Sequence, residues 1–478
     1  MSPSQIPVAC VQTRAYDRED FEQRFDDVLA QIARAGEGGA RLIVLPEGTV
    51  PAYVIGERPV EEAIVARAQS AVAALAIRYR ATIVYGSART IDGLTYNTAT
   101  TIGPDGALLG APAKHFLWHF DRRWFAPGTA LEPVRTPVGL LGILVCADGR
   151  LPTIARTLVA RGAEMLVMPT AWVTSGRDPS DLENVQADLF VNVRAHENGV
   201  PFVVANKAGV ERHSVAYCGK SAILSADGAF LARAPQDGDA VLFAELSLAG
   251  ESARATSDDR AASALDLRAE DGPPAAPRSM RARIAIATSE DPAELADLAG
   301  AARIADATHL IAPVAPARVP NGLTCIVASD DTATGAGDLA LRVFTYPRLR
   351  DPGALVPARL AQIDLFVCTG YDDDEMGRRY LRTRAVELRA YVVGIDCGHG
   401  RAIAIDPDGA IVAGTFGAYR VAAFVYDRAR SGATAVAPHT DVLDGLRAVE
   451  PHYRAALLAR DPELAHGADE RGASTASA

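Results

Sequence analysis

From Gly139 to Trp172 the chain reads GLLGILVCADGRLPTIARTLVARGAEMLVMPTAW, two apolar runs separated by a polar turn and a helix-like stretch. Leu140 to Val145, flanked by Pro137 and Gly139, has the length and composition of a buried strand. Pro152 suits the first turn of a helix, and Ile154, Leu158 and Val159 recur at helical spacing until Gly162 stops them. Met165 to Met168 predicts a second buried strand. Such a unit belongs in a layered α/β fold. Cys146 stands at the mouth of this strand-turn-helix, where a thiol can be held near backbone N–H groups at a helix start. A lone cysteine in such a place is more often a buried structural thiol, so its partners elsewhere in the chain must decide.

The rest of the first half repeats the alternation. Ile6 to Val11 predicts a strand, and Phe21, Phe25, Val28, Leu29 and Ile32 mark an amphipathic helix that ends at Gly36-Glu37-Gly38-Gly39. Leu42 to Leu45 is a strand stopped by Pro46-Glu47-Gly48. A helix over Glu61 to Tyr79, strands over Thr82 to Tyr85 and Thr95 to Ile102, and the turn Gly103-Pro104-Asp105-Gly106 come next. Lys114 stands just beyond the strand that this turn begins. Asp181 to Asn198 predicts a helix, Val200 to Ala205 a strand, and Ala226 to Ala229 the tip of a hairpin.

Composition narrows the function classes. At 478 residues, 49% of them apolar and 22% charged, the chain has room for two or three globular domains. A net charge of -11 argues against nucleic acid or an anionic membrane as the main partner. Six widely spaced cysteines without a CxxC pair suggest neither a disulfide framework nor a zinc knuckle, and fit a reducing compartment. The start of the chain lacks a basic segment followed by an apolar core, and no apolar run approaches the ~18 residues of a membrane span. A soluble, cytoplasmic protein is expected. The nine histidines form no metal-binding cluster, and no P-loop or GxGxxG fingerprint sits in a strand-helix context, so no metal and no cofactor are expected. Only Lys114, Lys207 and Lys220 occur among the 48 basic residues, so each retained lysine is a candidate for chemistry that needs a compact ammonium.

Glu47, Lys114 and Cys146 each lie at a strand end, in local contexts that resemble the carbon-nitrogen hydrolase family, also called the nitrilase superfamily. The resemblance is carried by LIVLPEG around Glu47, YNTATTIGPDGALLGAPAKHFL up to Lys114, GILVCADGRLP around Cys146, MLVMPTAW through Trp172 and RAHENGVPFVVANKAG through Gly209. It covers most of residues 6 to 250 in the family's order. It implies an α/β fold, a four-layer α-β-β-α sandwich, and members that dimerise by packing two sandwiches together.

The chemistry open to the three residues can be stated independently of the family. A thiol with an ordinary pKa of about 8.5 is mostly protonated at neutral pH, so attack on an unactivated amide needs a base within hydrogen-bond reach. Glu47 is the candidate base. Lys114 and the backbone N–H of Ala147 are candidates to stabilise the oxyanion. The protonated Glu47 can then serve the leaving amine and afterwards activate water against the thioester.

Asp121, in HFDRRWFAPG, stands where many family members have a second glutamate. One methylene shorter, its carboxylate is expected about an ångström further back unless the backbone shifts. It could orient Lys114 or the hydrolytic water, or be a solvated acid beside Arg122 and Arg123. Ala147-Asp148 after the cysteine favours an amide or ureido substrate, because nitrile-cleaving members usually have Trp-Glu there. Arg150 resembles an arginine with which carbamoyl-amino-acid hydrolases hold a substrate carboxylate, and reads equally as a solvated residue of the helix's first turn. Tyr53, Trp118 and Trp172 are candidate pocket walls or simple packing.

Residues 251–280 are polar, rich in small residues and end in a proline cluster, which reads as a linker between a catalytic domain over 1–250 and a second domain. The second half is an internal repeat: ARLIVLPEG recurs as THLIAPVAP, GAEMLVMP as QIDLFVCT, RAHENGVPFVVANKAG as RAVELRAYVVGIDCG and ILSADGAFLA as AIDPDGAIVA. The fold is therefore expected twice in tandem, the second copy shortened and spanning 281–453. Tyr346 stands at the position of Cys146, Ala315 at that of Glu47, and no lysine follows Lys220. The second domain cannot run the chemistry; it could replace the usual homodimer partner, shape the pocket or bind a regulator. A disordered tail is expected over 454–478. The overall expectation is a thiol-dependent hydrolase of a small linear amide. The alternatives are hydrolysis of an N-carbamoyl compound and a non-catalytic binding protein that retains the fold.

Overall fold

The structure is a computed structural model that describes residues 5–174, 178, 180–248, 280–328, 333–336 and 339–460. The chain divides into two compact units. Of the described residues, the first unit holds those within 5–248 together with 437–440 and 449–460, and the second those within 280–436 together with 441–448.

In the first unit, strand β1 (Gln5–Arg14) runs through an eight-stranded sheet. It pairs in parallel with β2 (Leu42–Val44) and antiparallel with β14 (Ala240–Ser247). The sheet order is β11 (Val215–Cys218), β10 (Lys207–Glu211), β1, β2, β3 (Thr82–Ile91), β4 (Leu94–Ile102), β5 (Leu108–Gly110). A second, six-stranded sheet runs β13 (Phe230–Arg233), β12 (Ala222–Leu224), β9 (Phe202–Ala205), β8 (Met165–Pro169), β7 (Gly139–Ile143), β6 (Val134–Thr136).

Helices α1 (Phe21–Glu37) and α2 (Glu62–Tyr79) cover the first sheet. The buried face of α1, Phe21, Phe25, Val28, Ile32 and Ala35, recurs every three or four residues and enters one core with Ala9, Ile43 and Ile83. On the other side, β2 and β3 meet β8 and β9, and the Cys10 thiol donates to Val204 O at 3.1 Å between the sheets. After α3 (Asp121–Trp124), helices α4 (Pro152–Ala160) and α5 (Val191–Asn198) close the far face. The layers run helix, sheet, sheet, helix, as the resemblance implied for the first half.

Two local expectations are corrected. The strand that begins at Gly139 stops at Ile143, so Cys146 lies beyond it and opens a 3-10 turn, Cys146–Arg150. The helix expected from Asp181 starts later, as a π-helical turn Gln186–Phe190 that runs into α5. Asn184 is the reason: its side chain accepts from Gln186 N at 2.9 Å and caps the helix there.

The second unit also has two sheets. One runs β17 (Thr324–Val327), β16 (His309–Ala312), β15 (Arg281–Ala287), β24 (Val421–Asp427). The other runs β18 (Ala333–Ala336), β19 (Leu339–Thr345), β20 (Leu365–Thr369), β21 (Tyr391–Asp396), β22 (Arg401–Ile405), β23 (Ile411–Gly414). Strand β15 pairs in parallel with β16 and antiparallel with β24, the senses in which β1 pairs with β2 and β14. The run β19-β20-β21 is parallel, as is β7-β8-β9.

A buried arginine braces the turn after β7 in the first unit and the turn after β19 in the second. Arg194 Nε donates to Gly149 O at 3.2 Å and Nη1 to Glu197 Oε1 at 2.8 Å. Arg384 Nε donates to Leu349 O at 2.8 Å and Nη2 to Arg350 O at 2.6 Å, and the guanidinium pairs with Glu387.

The tail expected from residue 454 is helical at its start, because the helix Val442–Arg460 continues through it with Val449, Tyr453, Ala456 and Leu457 buried. Residues 461–478, and the expected linker apart from Met280, lie outside the described residues. Among the described residues no helix is long and apolar enough to cross a membrane.

Candidate active site

Segments that follow three strands of the first unit, β2, β5 and β7, deliver Glu47, Lys114 and Cys146 to the site, and α3 adds Asp121. Glu47 follows β2, in a segment whose backbone presses against β3. A Cβ at Gly86 would lie 2.4 Å from Glu47 Cα, so only glycine admits this approach. Gly86 N donates to Pro46 O, and Glu47 N to Thr170 O just past β8, at 3.0 and 3.3 Å. Lys114 follows β5 and is tied to β4 by its own N–H, which donates to Asn97 O at 2.8 Å.

Cys146 has a positive φ of 49°, a conformation that costs a non-glycine residue energy and marks an elbow held by its surroundings. Asp148 does much of the holding. Its carboxylate accepts from Val145 N at 3.0 Å, His115 N at 3.0 Å and Phe116 N at 2.7 Å, joining the elbow to the segment after Lys114. Burial lifts the Asp148 carboxyl to about 6 despite these donors.

The Lys114 ammonium is fully buried between two carboxylates, 2.8 Å from Glu47 Oε1 and 2.6 Å from Asp121 Oδ2. A solvated Asp121 is therefore excluded, and so is a recessed carboxylate. The side chain is buried at the start of α3, where Tyr53 OH donates to Oδ1 and Trp118 N to Oδ2, both at 3.0 Å. Backbone placement compensates for the missing methylene. Asn97 Nδ2 donates to Glu47 Oε1 at 2.7 Å, whereas Glu47 Oε2 is buried without an N–H or O–H donor, and the side chain also hydrogen-bonds to Cys146.

Burial raises the Glu47 pKa against the pull of Lys114. It also pushes the Cys146 thiol up to about 12, with the charge of Glu47 adding to the rise and Lys114 opposing it. Burial works to lower Lys114, yet Asp121, Cys146 and Glu47 hold its pKa well above the ordinary lysine value. The resting constellation is thus a neutral thiol and a lysine ammonium held between the side chains of Glu47 and Asp121. Such a thiol attacks only as its proton leaves, which requires a base beside it.

The remaining predicted residues fall in two sets. Tyr53 is buried, its ring 5.7 Å from Lys114 Nζ, so it supports the charge cluster. Trp118 is half-buried and the Arg150 guanidinium lies 4.7 Å from the centre of its ring. Ala147 is buried directly after the thiol. Trp172 is 2% exposed with its Nε1 unpartnered, and it follows Ala171, whose backbone stabilises the Cys146 thiolate.

Asn97 and Glu211 escaped the sequence-based selection. Glu211 accepts from Val54 N at 2.6 Å and Tyr217 OH at 2.8 Å, and Lys207 Nζ lies 3.4 Å away. The scarcity of lysine pointed at Lys207. For Asn97 the available signal was an amide on a strand whose neighbours are buried.

The profile of the carbon-nitrogen hydrolase family matches residues 7–255, just over half of the chain. The chain belongs to that family, the nitrilase superfamily, and is a hydrolase of C–N bonds. Its relatives include a probable nitrilase of Schizosaccharomyces pombe, 26% identical over 49% of this chain and 86% of that one. An omega-amidase of Danio rerio is 28% identical over 45% of this chain and 80% of its own. Among solved structures, an amidase from Nesterenkonia sp. is 25% identical, with a TM-score of 0.47 over 52% of this chain and 92% of that one.

Proposed function

We propose that the first unit hydrolyses small linear amides through a thioester on Cys146. The observation that carries this reading is the buried Lys114 ammonium between Glu47 and Asp121, next to a thiol on a strained elbow. As Sγ attacks the amide carbonyl, its proton passes to Glu47. The carbonyl oxygen takes the negative charge beside Lys114 and the Ala147 N–H, donors whose loss typically costs about 100-fold to 1000-fold in rate. Glu47 returns the proton to the leaving nitrogen as the C–N bond breaks, releasing ammonia or an amine. It then takes a proton from water, which adds to the thioester; the C–S bond breaks and the thiol is restored.

Ala147-Asp148 after the nucleophile favours amides over nitriles; the relatives include proteins named for both activities. An N-carbamoyl substrate is the second reading, favoured by Arg150 beside Trp118, where a guanidinium could meet a substrate carboxylate. The test is ammonia release across primary amides, N-carbamoyl amino acids and nitriles. Cys146→Ala is expected to be inert, and intact-mass spectra of the wild type to show an acyl adduct. Full turnover by Cys146→Ala would overturn the mechanism, and no turnover of any substrate would favour a binding protein.

The second unit is read as a shortened copy of the same fold that has lost the reaction. Support comes from the matching strand pairings and from the Arg384–Glu387 pair, which braces its turn as Arg194–Glu197 braces the first. Its helix Tyr346–Arg350 occupies the place of the nucleophile turn with Tyr346 at the head. We propose that this copy stands in for the second subunit of the usual homodimer.

A further inference from the structure

We infer that Asn97 is a positioning residue that makes Glu47 a one-sided base, leaving Oε2 alone to carry every proton transfer of the reaction. The inference rests on the proposed role of Glu47 toward Cys146. Asn97 lies on β4 and is 2% exposed. Its two polar ends do different work: the backbone carbonyl accepts from Lys114 N at 2.8 Å, and the side-chain amide donates to Glu47 Oε1 at 2.7 Å. Lys114 Nζ meets that same Oε1 at 2.8 Å. One oxygen of the carboxylate is therefore saturated by two donors, and its buried twin has neither of them, the Cys146 thiol being the other side chain to which the Glu47 carboxyl hydrogen-bonds.

A buried carboxylate oxygen left with no donor stronger than a thiol is costly and persists only where surrounding structure enforces it. Two donors on Oε1 draw negative charge there and fix the rotation of the carboxyl group, so Oε2 is the oxygen that remains for the Cys146 thiol, with which the Glu47 side chain interacts. The proton leaving Sγ goes to Oε2 as the S–C bond forms. It leaves Oε2 for the departing nitrogen as C–N breaks. A water proton then arrives on Oε2 as O–C forms, and returns to Sγ as C–S breaks. Leaving amine and attacking water must consequently occupy the same side of the thioester, in turn. Because Asn97 also sets the backbone of Lys114, base and oxyanion donor share one support.

Asn97→Leu keeps the size and removes the donor; Asn97→Asp keeps the shape and replaces the donor by an acceptor. The assay is the rate of Cys146 alkylation by iodoacetamide as a function of pH, read by mass spectrometry on the full chain. It needs no knowledge of the substrate, so absence of amide turnover and failure of this inference are separate outcomes. Loss of the donor leaves the Glu47 carboxylate less stabilised. The acid limb of the profile is expected to move up by about one pH unit, with the rate at neutral pH lowered roughly 10-fold to 100-fold. Asn97→Asp is expected to shift the limb further, because a second carboxylate would face Oε1. An unshifted acid limb in whichever variant folds, with or without a loss of rate, would overturn the inference, since a scaffold defect does not move a titration.

Discussion

Asp121 Oδ2 meets Lys114 Nζ at 2.6 Å, with both side chains excluded from solvent. The pair persists although the carboxylate is one methylene shorter than the family's usual glutamate, because Asp121 heads α3 and is held there by Tyr53 OH and Trp118 N. Asp121→Asn keeps the shape and deletes one of the two anions that fix the ammonium. Turnover is expected to fall about 10-fold to 100-fold, the range of a charge-assisted hydrogen bond, with the chain still folded. A kcat within twofold of wild type would assign Asp121 to packing alone.

The pH dependence follows from the raised Glu47 pKa. A base must be ionised to accept the thiol proton, so activity is lost as pH falls through that pKa. The acid limb of kcat/KM should therefore lie above the ordinary glutamate value of 4.5. Lys114 must stay charged, and its pKa is held well above 10.5, so no alkaline fall is expected from it below pH 10.5. Rates measured from pH 4 to pH 10 check both limbs; an acid limb below 4.5 would contradict the burial argument.

Gly86→Ala tests the approach of Glu47 to β3. The added methyl would overlap Glu47 Cα at 2.4 Å, and backbone there cannot swing aside as a side-chain tip could. A stability loss of about 1–3 kcal/mol and a marked drop in kcat are expected, read by thermal inactivation and initial rates. Unchanged activity would mean that the position of Glu47 tolerates displacement.

Arg194→Met removes the guanidinium paired with the buried Glu197 carboxylate beneath the Cys146 turn. Breaking one side of such a pair costs about 3–5 kcal/mol, whereas Arg194→Met with Glu197→Leu removes both charges and should cost less. Half-times of activity loss on heating rank the variants. The single change is expected to inactivate first, and the reverse order would deny the brace its role.

If the second unit takes the place of a partner subunit, the 50.3 kDa chain should scatter light as a monomer at micromolar concentration. A tight homodimer would count against that substitution.

The sequence by itself determined most of the alternation of strands and helices in the first half, and it singled out Glu47, Lys114 and Cys146 as the candidate reactive residues. Both are legible because apolar periodicity and turn residues are local signals, and because reactive side chains at strand ends sit in short, recognisable contexts. It could not say that Asp121 would reach Lys114, because the missing methylene is offset by where α3 begins, and that depends on Tyr53, 68 positions away. Nor could it say that the strand would stop short of Cys146 and leave the thiol on a positive φ. The same holds for Asn97, which meets Glu47 only because β2, β3 and β4 are neighbours in one sheet. Which carboxylate oxygen the two donors occupy, and which remains for the thiol, is decided by ångström-scale distances between segments that strand pairing brings together. Local sequence names the groups, and the tertiary structure alone decides which of their atoms face one another.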